Sequence, residues 1–203
     1  MGLISNGSTI FDAGTMSTGA GSMTFIKKLT ASNSANLTFI HGSGGVVLDG
    51  TYKEYIFTFK NIHPANNDTP LKGNFTSDGT NFNVTKTTTW FGAVNDENRT
   101  YSGLGYSTGR DVAQATGDFV ISQSVGNENE SCMAGYFHLF NPSSTTFVKH
   151  FTSRTVCDWG GIVGATDEHG AGYCNTTSAI TGFRVNFNSG NIGAGDVCLY
   201  GIA

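Results

Sequence analysis

Fifteen carboxylates, five histidines and four cysteines are the side chains on which chemistry could rest in this 203-residue chain. Glycan hydrolysis asks for two carboxyl groups about 5–9.5 Å apart across a sugar-binding groove. Here the acids fall in short clusters, Asp96-Glu97, Glu128 with Glu130, and Asp167-Glu168, each beside Asn or Gly. That context reads as solvated loop charge. A serine nucleophile on a Gly-x-Ser-x-Gly elbow is not expected. The run Gly42-Ser43-Gly44-Gly45 lies between strands with no helix to follow, so it does not read as a phosphate-binding loop. The sequence therefore predicts no catalytic residue and a protein that is not an enzyme.

Metal and cofactor sites are expected to be absent as well. His138 and His150 fall on neighbouring strand-like runs and could approach each other, but no third ligand accompanies them. His41 ends a strand, His63 precedes Pro64 in a turn, and His169 belongs to an Asp167-Glu168-His169-Gly170 loop. Asn66-Asn67-Asp68 offers oxygens of the kind calcium takes, without the spacing of an EF-hand. Of the cysteines, Cys132 and Cys198 sit in apolar runs and read as buried thiols. Cys157 and Cys174 flank a glycine-rich loop and are the one pair placed to form a disulfide. No CxxC occurs, which argues against zinc.

Binding without catalysis leaves the aromatic residues. Most are phenylalanine at alternating positions, which is core material. Tyr101, Tyr106 and Trp159 sit near loops and are the candidates for contact with a ligand or a partner, while Trp90-Phe91 closes a strand and reads as buried.

The elements that must hold these residues are strands. Tyr55, Phe57 and Phe59 alternate with Ile56, Thr58 and Lys60, and Phe183, Val185 and Phe187 alternate with Arg184, Asn186 and Asn188. Period-two alternation of this kind marks a strand with one buried face. Further strands are expected at Met23–Leu29, Leu37–Ile40, Leu71–Thr76 ended by the Asp78-Gly79 turn, Phe82–Trp90, Phe119–Ile121, Tyr136–Phe140, Phe147–Phe151 and Val197–Ile202. That makes nine or ten. No helical periodicity is sustained, and residues 95–114 are the least strand-like, a long loop or a short helical turn. The fold class expected is all-β, an antiparallel β-sandwich of jelly-roll type over residues 23–203, with an extended N-terminal arm at 1–22. The arm's apolar residues, Leu3, Ile4, Ile10, Phe11 and Met16, are too sparse to build a core. It is either a leader without fixed structure or a partner-binding arm that orders on a neighbouring subunit.

Charged residues make up 13% of the chain, against roughly 25% in an average soluble domain. With a net charge of −4 there is no basis for expecting nucleic acid as a partner. No apolar run is long enough to span a bilayer, and residues 1–10 do not read as a signal peptide. No membrane insertion is expected.

Several blocks of the chain resemble one another's counterparts in a known family. They are Thr51–Tyr55 with Phe57–Ala65, Leu139–Ser144 followed by Phe147-Val148-Lys149, and Asn175–Ile180 with Phe183–Asn188, Ser189–Ile192 and Leu199–Ile202. Together they resemble small tail-fibre-like or head-associated virion structural proteins of bacteriophages infecting marine bacteria. The matched motifs are packing and turn motifs and carry no catalytic residues. The resemblance implies a virion surface protein, assembled in the host bacterial cytoplasm. One reading is a capsid decoration or cement protein anchored through its arm to the major capsid protein or a tail component, as a homo-oligomer such as a trimer. The other is a tail-fibre or receptor-binding module that recognises host glycan.

Overall fold

The computed structural model describes residues 23–160 and 164–203, together with the backbone of three short strands before them, β1 (Leu3–Ser5), β2 (Ser8–Asp12) and β3 (Thr15–Met16). Twelve more strands follow: β4 (Met23–Ser34), β5 (Leu37–Ile40), β6 (Glu54–Pro64), β7 (Thr69–Thr76), β8 (Lys86–Asp96), β9 (Ser102–Tyr106), β10 (Phe119–Val125), β11 (Met133–Phe140), β12 (Lys149–Asp158), β13 (Gly164–Cys174), β14 (Gly182–Phe187) and β15 (Ile192–Ile202). Among the described residues there is no helix. The all-β expectation holds, and the chain forms an antiparallel sandwich of an eight-stranded and a four-stranded sheet.

The strand order identifies the topology. The small sheet runs β5-β14-β7-β10, and half of the large sheet runs β4-β15-β6-β11. Those are the two interleaved orders of a jelly roll, in which the chain repeatedly crosses between sheets. Two hairpins are inserted into it. β8-β9 interrupts the path from β7 to β10, and β12-β13 interrupts the path from β11 to β14. They pair with each other as β11-β12-β13-β8-β9 and widen the large sheet on one side only.

The core is a layer of phenylalanines. Within it seven rings touch in one network, to which each strand of the small sheet contributes one, Phe39, Phe75, Phe119 and Phe183, and the large sheet Phe57, Phe137 and Phe151, with Phe59 and Phe187 buried beside them. Phe137 stacks on Phe183 with centroids 4.6 Å apart, Phe57 lies 4.8 Å from Phe183, and Phe119 lies 5.0 Å from Phe151. Offset and tilted ring pairs at these separations add to the burial of their area. Gly73 makes room for them: a Cβ there would lie 2.9 Å from Ile121 and 3.0 Å from Phe119 and Phe183.

Along β6 the inward positions are Tyr55, Phe57 and Phe59, and then Ile62 and Pro64. The change of parity is a bulge at Asn61, whose φ is 50°. The extra residue re-aims Ile62 into the core.

Two expectations about elements need correction. First, the Asp167-Glu168-His169-Gly170 segment is not a loop. It lies in the middle of β13, which pairs on both edges, with β12 and with β8. Its alternation is of small and polar residues, so no apolar period marks it. Second, residues 95–114 carry a strand, β9, paired with β8. The disulfide that the sequence left open does not form: Cys157 and Cys174 are not bridged. All four cysteines are free thiols. Cys174 stands opposite Lys149 and Cys157 lies eight residues further along β12, a separation of ~26 Å at about 3.3 Å per residue, far beyond disulfide reach. Cys198 is buried as expected, but Cys132 is only half-buried.

At the far end of the inserted hairpins two lysines are buried beside Cys174, in one row across β12, β13 and β8. Lys86 Nζ donates to the carbonyls of Gly117 at 2.8 Å and Thr116 at 3.2 Å, and Lys149 Nζ to those of Ser178 at 2.5 Å and Thr176 at 3.2 Å. Each ammonium fastens a loop to the sheet. Burial lowers both lysines, Lys86 to about 8, and raises the Cys174 thiol to about 12.

Because Phe137 touches rings from both sheets, truncating it opens a cavity that neither can close. Phe137→Ala is expected to cost about 3–5 kcal/mol of unfolding free energy, read from urea denaturation, with the denaturant slope unchanged.

Candidate functional site

The unequal width of the two sheets makes a cleft. β10 is the edge of the small sheet and packs across β12 and β13. The inner face of β8 and β9 extends past it without a strand opposite. The inward residues of β8 follow from its register with β13: Glu168 pairs with Gly92, Gly170 with Trp90 and Thr166 with Val94. Trp90 and Val94 therefore line a cavity of about 320 Å³, together with Tyr101, Tyr106, Trp159 and Arg110. Tyr101 and Trp159, two of the three aromatic residues expected to contact a ligand or partner, thus meet at one site, whereas Tyr106 borders the cavity but pairs with Phe91 and belongs to the outer row of the sheet.

Each is positioned by local structure. Asp96, at the end of β8, accepts hydrogen bonds from the Thr100 N–H at 2.8 Å and from the Thr100 hydroxyl at 2.5 Å, while the Asp96 N–H donates to the Tyr101 carbonyl at 3.0 Å. This closes the β8-β9 turn and presents Tyr101. The Thr100 hydrogen bond holds the Asp96 carboxyl below its ordinary range. Trp159 follows β12 and is anchored by its N–H to the Gly164 carbonyl at 3.1 Å and by a bridge to Val125. The Tyr101 and Trp159 rings meet edge to face, with centroids 6.2 Å apart. Tyr106 donates its hydroxyl to Asp111, which raises the phenol above its usual range. Trp90 is the loop-side aromatic whose place at a strand end pointed to burial. It is 4% exposed, yet it forms a wall of the cleft, with the Arg110 guanidinium 5.0 Å from its ring centroid. Its indole Nε1–H is buried without an acceptor among the described residues. Arg110 Nη1 also donates to Ser107 Oγ at 2.7 Å. On β9, Gly103 and Gly105 leave open space beside the backbone.

Glu168 lies at the inner end of the cleft and is fully buried. Its oxygens accept the Gln123 N–H at 3.0 and 3.2 Å and the Thr155 hydroxyl at 3.1 Å. Desolvation raises its pKa, against the hydrogen bonds from its neighbours. The group is tied into the fold, and no expectation of solvated charge applies to it.

A second cavity of about 320 Å³ adjoins the first. It shares Arg110 and Gln123 with it and continues along β10 to Lys72 and Asn188. Lys72 Nζ donates to Asn188 Oδ1 at 2.7 Å. A larger, open depression of about 820 Å³ lies on the outer face of the large sheet. Ala93, Ala134, Val156 and Ala165 floor it, with carboxylates such as Glu130 and Asp167 around it.

A Gly-x-Ser-x-Gly spacing does occur, at Gly105-Tyr106-Ser107-Thr108-Gly109, against expectation. It follows an edge strand and opens no helix, so it lacks the elbow that exposes a nucleophile. The histidines do not converge. His138 lies over Phe140 at 4.1 Å and beside Glu54 at 3.0 Å, while His150 stands opposite Tyr173. His41 Nδ1 accepts the Leu48 N–H, and His63 lies 3.2 Å from the Glu128 carbonyl. Among the described residues no three His, Cys, Asp or Glu side chains gather as a metal would need. The oxygens of Asn67 and Asp68 are engaged by the Asn127 N–H and the Ser124 hydroxyl. The side chains of Leu3, Ile4, Ile10, Phe11 and Met16 lie outside the described residues.

The raised pKa of Glu168 has a sign that can be measured. The folded state keeps its proton to higher pH than the unfolded chain, whose glutamate titrates near 4.5. Its contribution is intact below that pH and declines as pH rises toward the folded value. Between pH 5 and 8 the melting temperature of Glu168→Gln is expected to rise relative to the parent protein. Parallel curves for the two would show that Glu168 is not desolvated.

Compared with protein-family models, with curated proteins and with solved structures, the chain matches none.

Proposed function

We propose that this protein is a surface component of a bacteriophage particle, a decoration or cement type of structural protein held by neighbouring virion proteins. The observation that carries the reading is the outer face of the inserted strands. By their register, Tyr136, Arg154, His169, Phe91 and Tyr106 form one row across β11, β12, β13, β8 and β9, and Ala134, Val156, Asp167, Ala93 and Leu104 form the next. Leu104 is 76% exposed, Val156 47%, Tyr136 43% and Phe91 42%. His169 stacks flat on Phe91 at 4.9 Å. Apolar surface gathered in this way marks contact with another protein. We assign it to packing between copies, as a homo-oligomer such as a trimer. The jelly roll is shared by capsid proteins and lectins, an analogy of fold alone. Four free thiols suit assembly in a reducing bacterial cytoplasm.

The N-terminal segment supplies the anchor in this reading, to the major capsid protein or a tail component. The backbones of β1, β2 and β3 pair with one another and, among the described residues, with no strand of the sandwich. The jelly roll is complete from β4 onward.

A second reading, recognition of host glycan, draws on the meeting of Tyr101 and Trp159 at one cleft. Exposed aromatic rings beside amide and hydroxyl groups are the chemistry by which a sugar is held.

Removal of residues 1–22 is expected to leave the melting temperature within a few degrees of the full chain and to abolish binding to particles that lack the protein. Retained binding would refute the anchor. Leu104→Glu combined with Val156→Glu is expected to convert the oligomer to monomer in light scattering, without change in the circular dichroism spectrum. An unchanged mass would place the subunit contact elsewhere.

A further inference from the structure

The two cavities that share Arg110 and Gln123 form one trough along the edge strand β10. Its two ends differ in chemistry. At one end Tyr101 and Trp159 present aromatic faces, and the wall formed by β9 is bare backbone at Gly103 and Gly105. A flat ring can approach closely there. At the other end stand Arg110 and Lys72. Neither is ion-paired among the described residues, and both line the same trough. In a chain of net charge −4, two unpaired cations in one trough are not the product of a generally basic surface. Both are held in place by neutral groups, Arg110 by Ser107 and the Trp90 ring, and Lys72 by Asn188. Their charge is preorganised and left for a ligand.

We propose that this trough binds an anionic oligosaccharide, with sugar rings against Tyr101 and Trp159 and a carboxylate substituent between Arg110 and Lys72. The combined space is of the size that small ligands occupy, on the order of 300–1,000 Å³. Gln123 and Asn188, half-buried and exposed respectively, supply amide groups for sugar hydroxyls along the way. The inference rests on the glycan reading and specifies its ligand; it is independent of where the protein sits on a particle.

The test is calorimetric titration of the full chain with hexamers of galacturonate, mannuronate and guluronate, and with neutral glucose and mannose hexamers of equal length. At least one uronate hexamer is expected to bind, more weakly at 0.5 M than at 0.05 M salt, while the neutral hexamers bind at least tenfold more weakly. Lys72→Gln, at a partly exposed position, is expected to weaken uronate binding about tenfold. Trp159→Ala is expected to weaken it as much without altering the salt dependence. Equal binding of neutral and uronate hexamers, unaffected by Lys72→Gln but lost in Trp159→Ala, would overturn the anionic assignment and leave the glycan reading standing. Binding indifferent to both variants would place the site elsewhere, and no binding by any hexamer would overturn this inference and the glycan reading together. None of these results bears on attachment to particles through residues 1–22.

Discussion

The packing of seven phenylalanines between two sheets of unequal width is the constraint on which the rest of the structure depends. Four strands give the small sheet one ring each, and these rings meet Phe57, Phe137 and Phe151 on three adjacent strands of the large sheet. Close packing of such rings fixes where the small sheet sits. It covers the jelly-roll half of the large sheet and reaches β12 and β13, but no further. Everything specific about the protein lies beyond that limit.

At the limit, the backbone and side chains are satisfied by charged groups rather than by more apolar ones. β10 pairs irregularly with β7, with register shifts on both sides of Ser122. The Gln123 N–H turns instead to Glu168, which receives it with both oxygens. Lys86 and Lys149 do the complementary work at the other end, donating to carbonyls of loops that have no strand partner. A buried charge is costly to desolvate unless fully bonded. These three groups are bonded, the lysines to loop carbonyls and Glu168 to the backbone of β10.

The same mismatch gives the large sheet two usable faces. Inside, the overhang forms the trough beside β10, with Trp90 packed as core on one side and lining the trough on the other. Outside, the inserted strands present Phe91, Leu104, Tyr136 and Val156 in adjacent rows. A contact between copies on the outer face of the inserted strands would leave the trough beside β10 open.

The sequence by itself determined the β class and the strands with a clear apolar alternation, because a half-buried strand must repeat every second residue. Leu37–Ile40, Tyr55–Phe59 and Phe183–Phe187 were legible for that reason. It also singled out Tyr101, Tyr106 and Trp159, by placing aromatic residues outside that alternation. Only the tertiary structure decided that β13 is a strand. Its inward positions, Thr166, Glu168, Gly170 and Gly172, are small or polar because neighbouring strands supply the bulk: a Cβ on Gly172 would lie 2.6 Å from the Phe151 ring. The burial of Glu168, Lys86 and Lys149, and the meeting of Tyr101 with Trp159, depend on contacts between residues 29 to 58 apart in the chain. No local pattern encodes them, since they follow from where one sheet ends against the other.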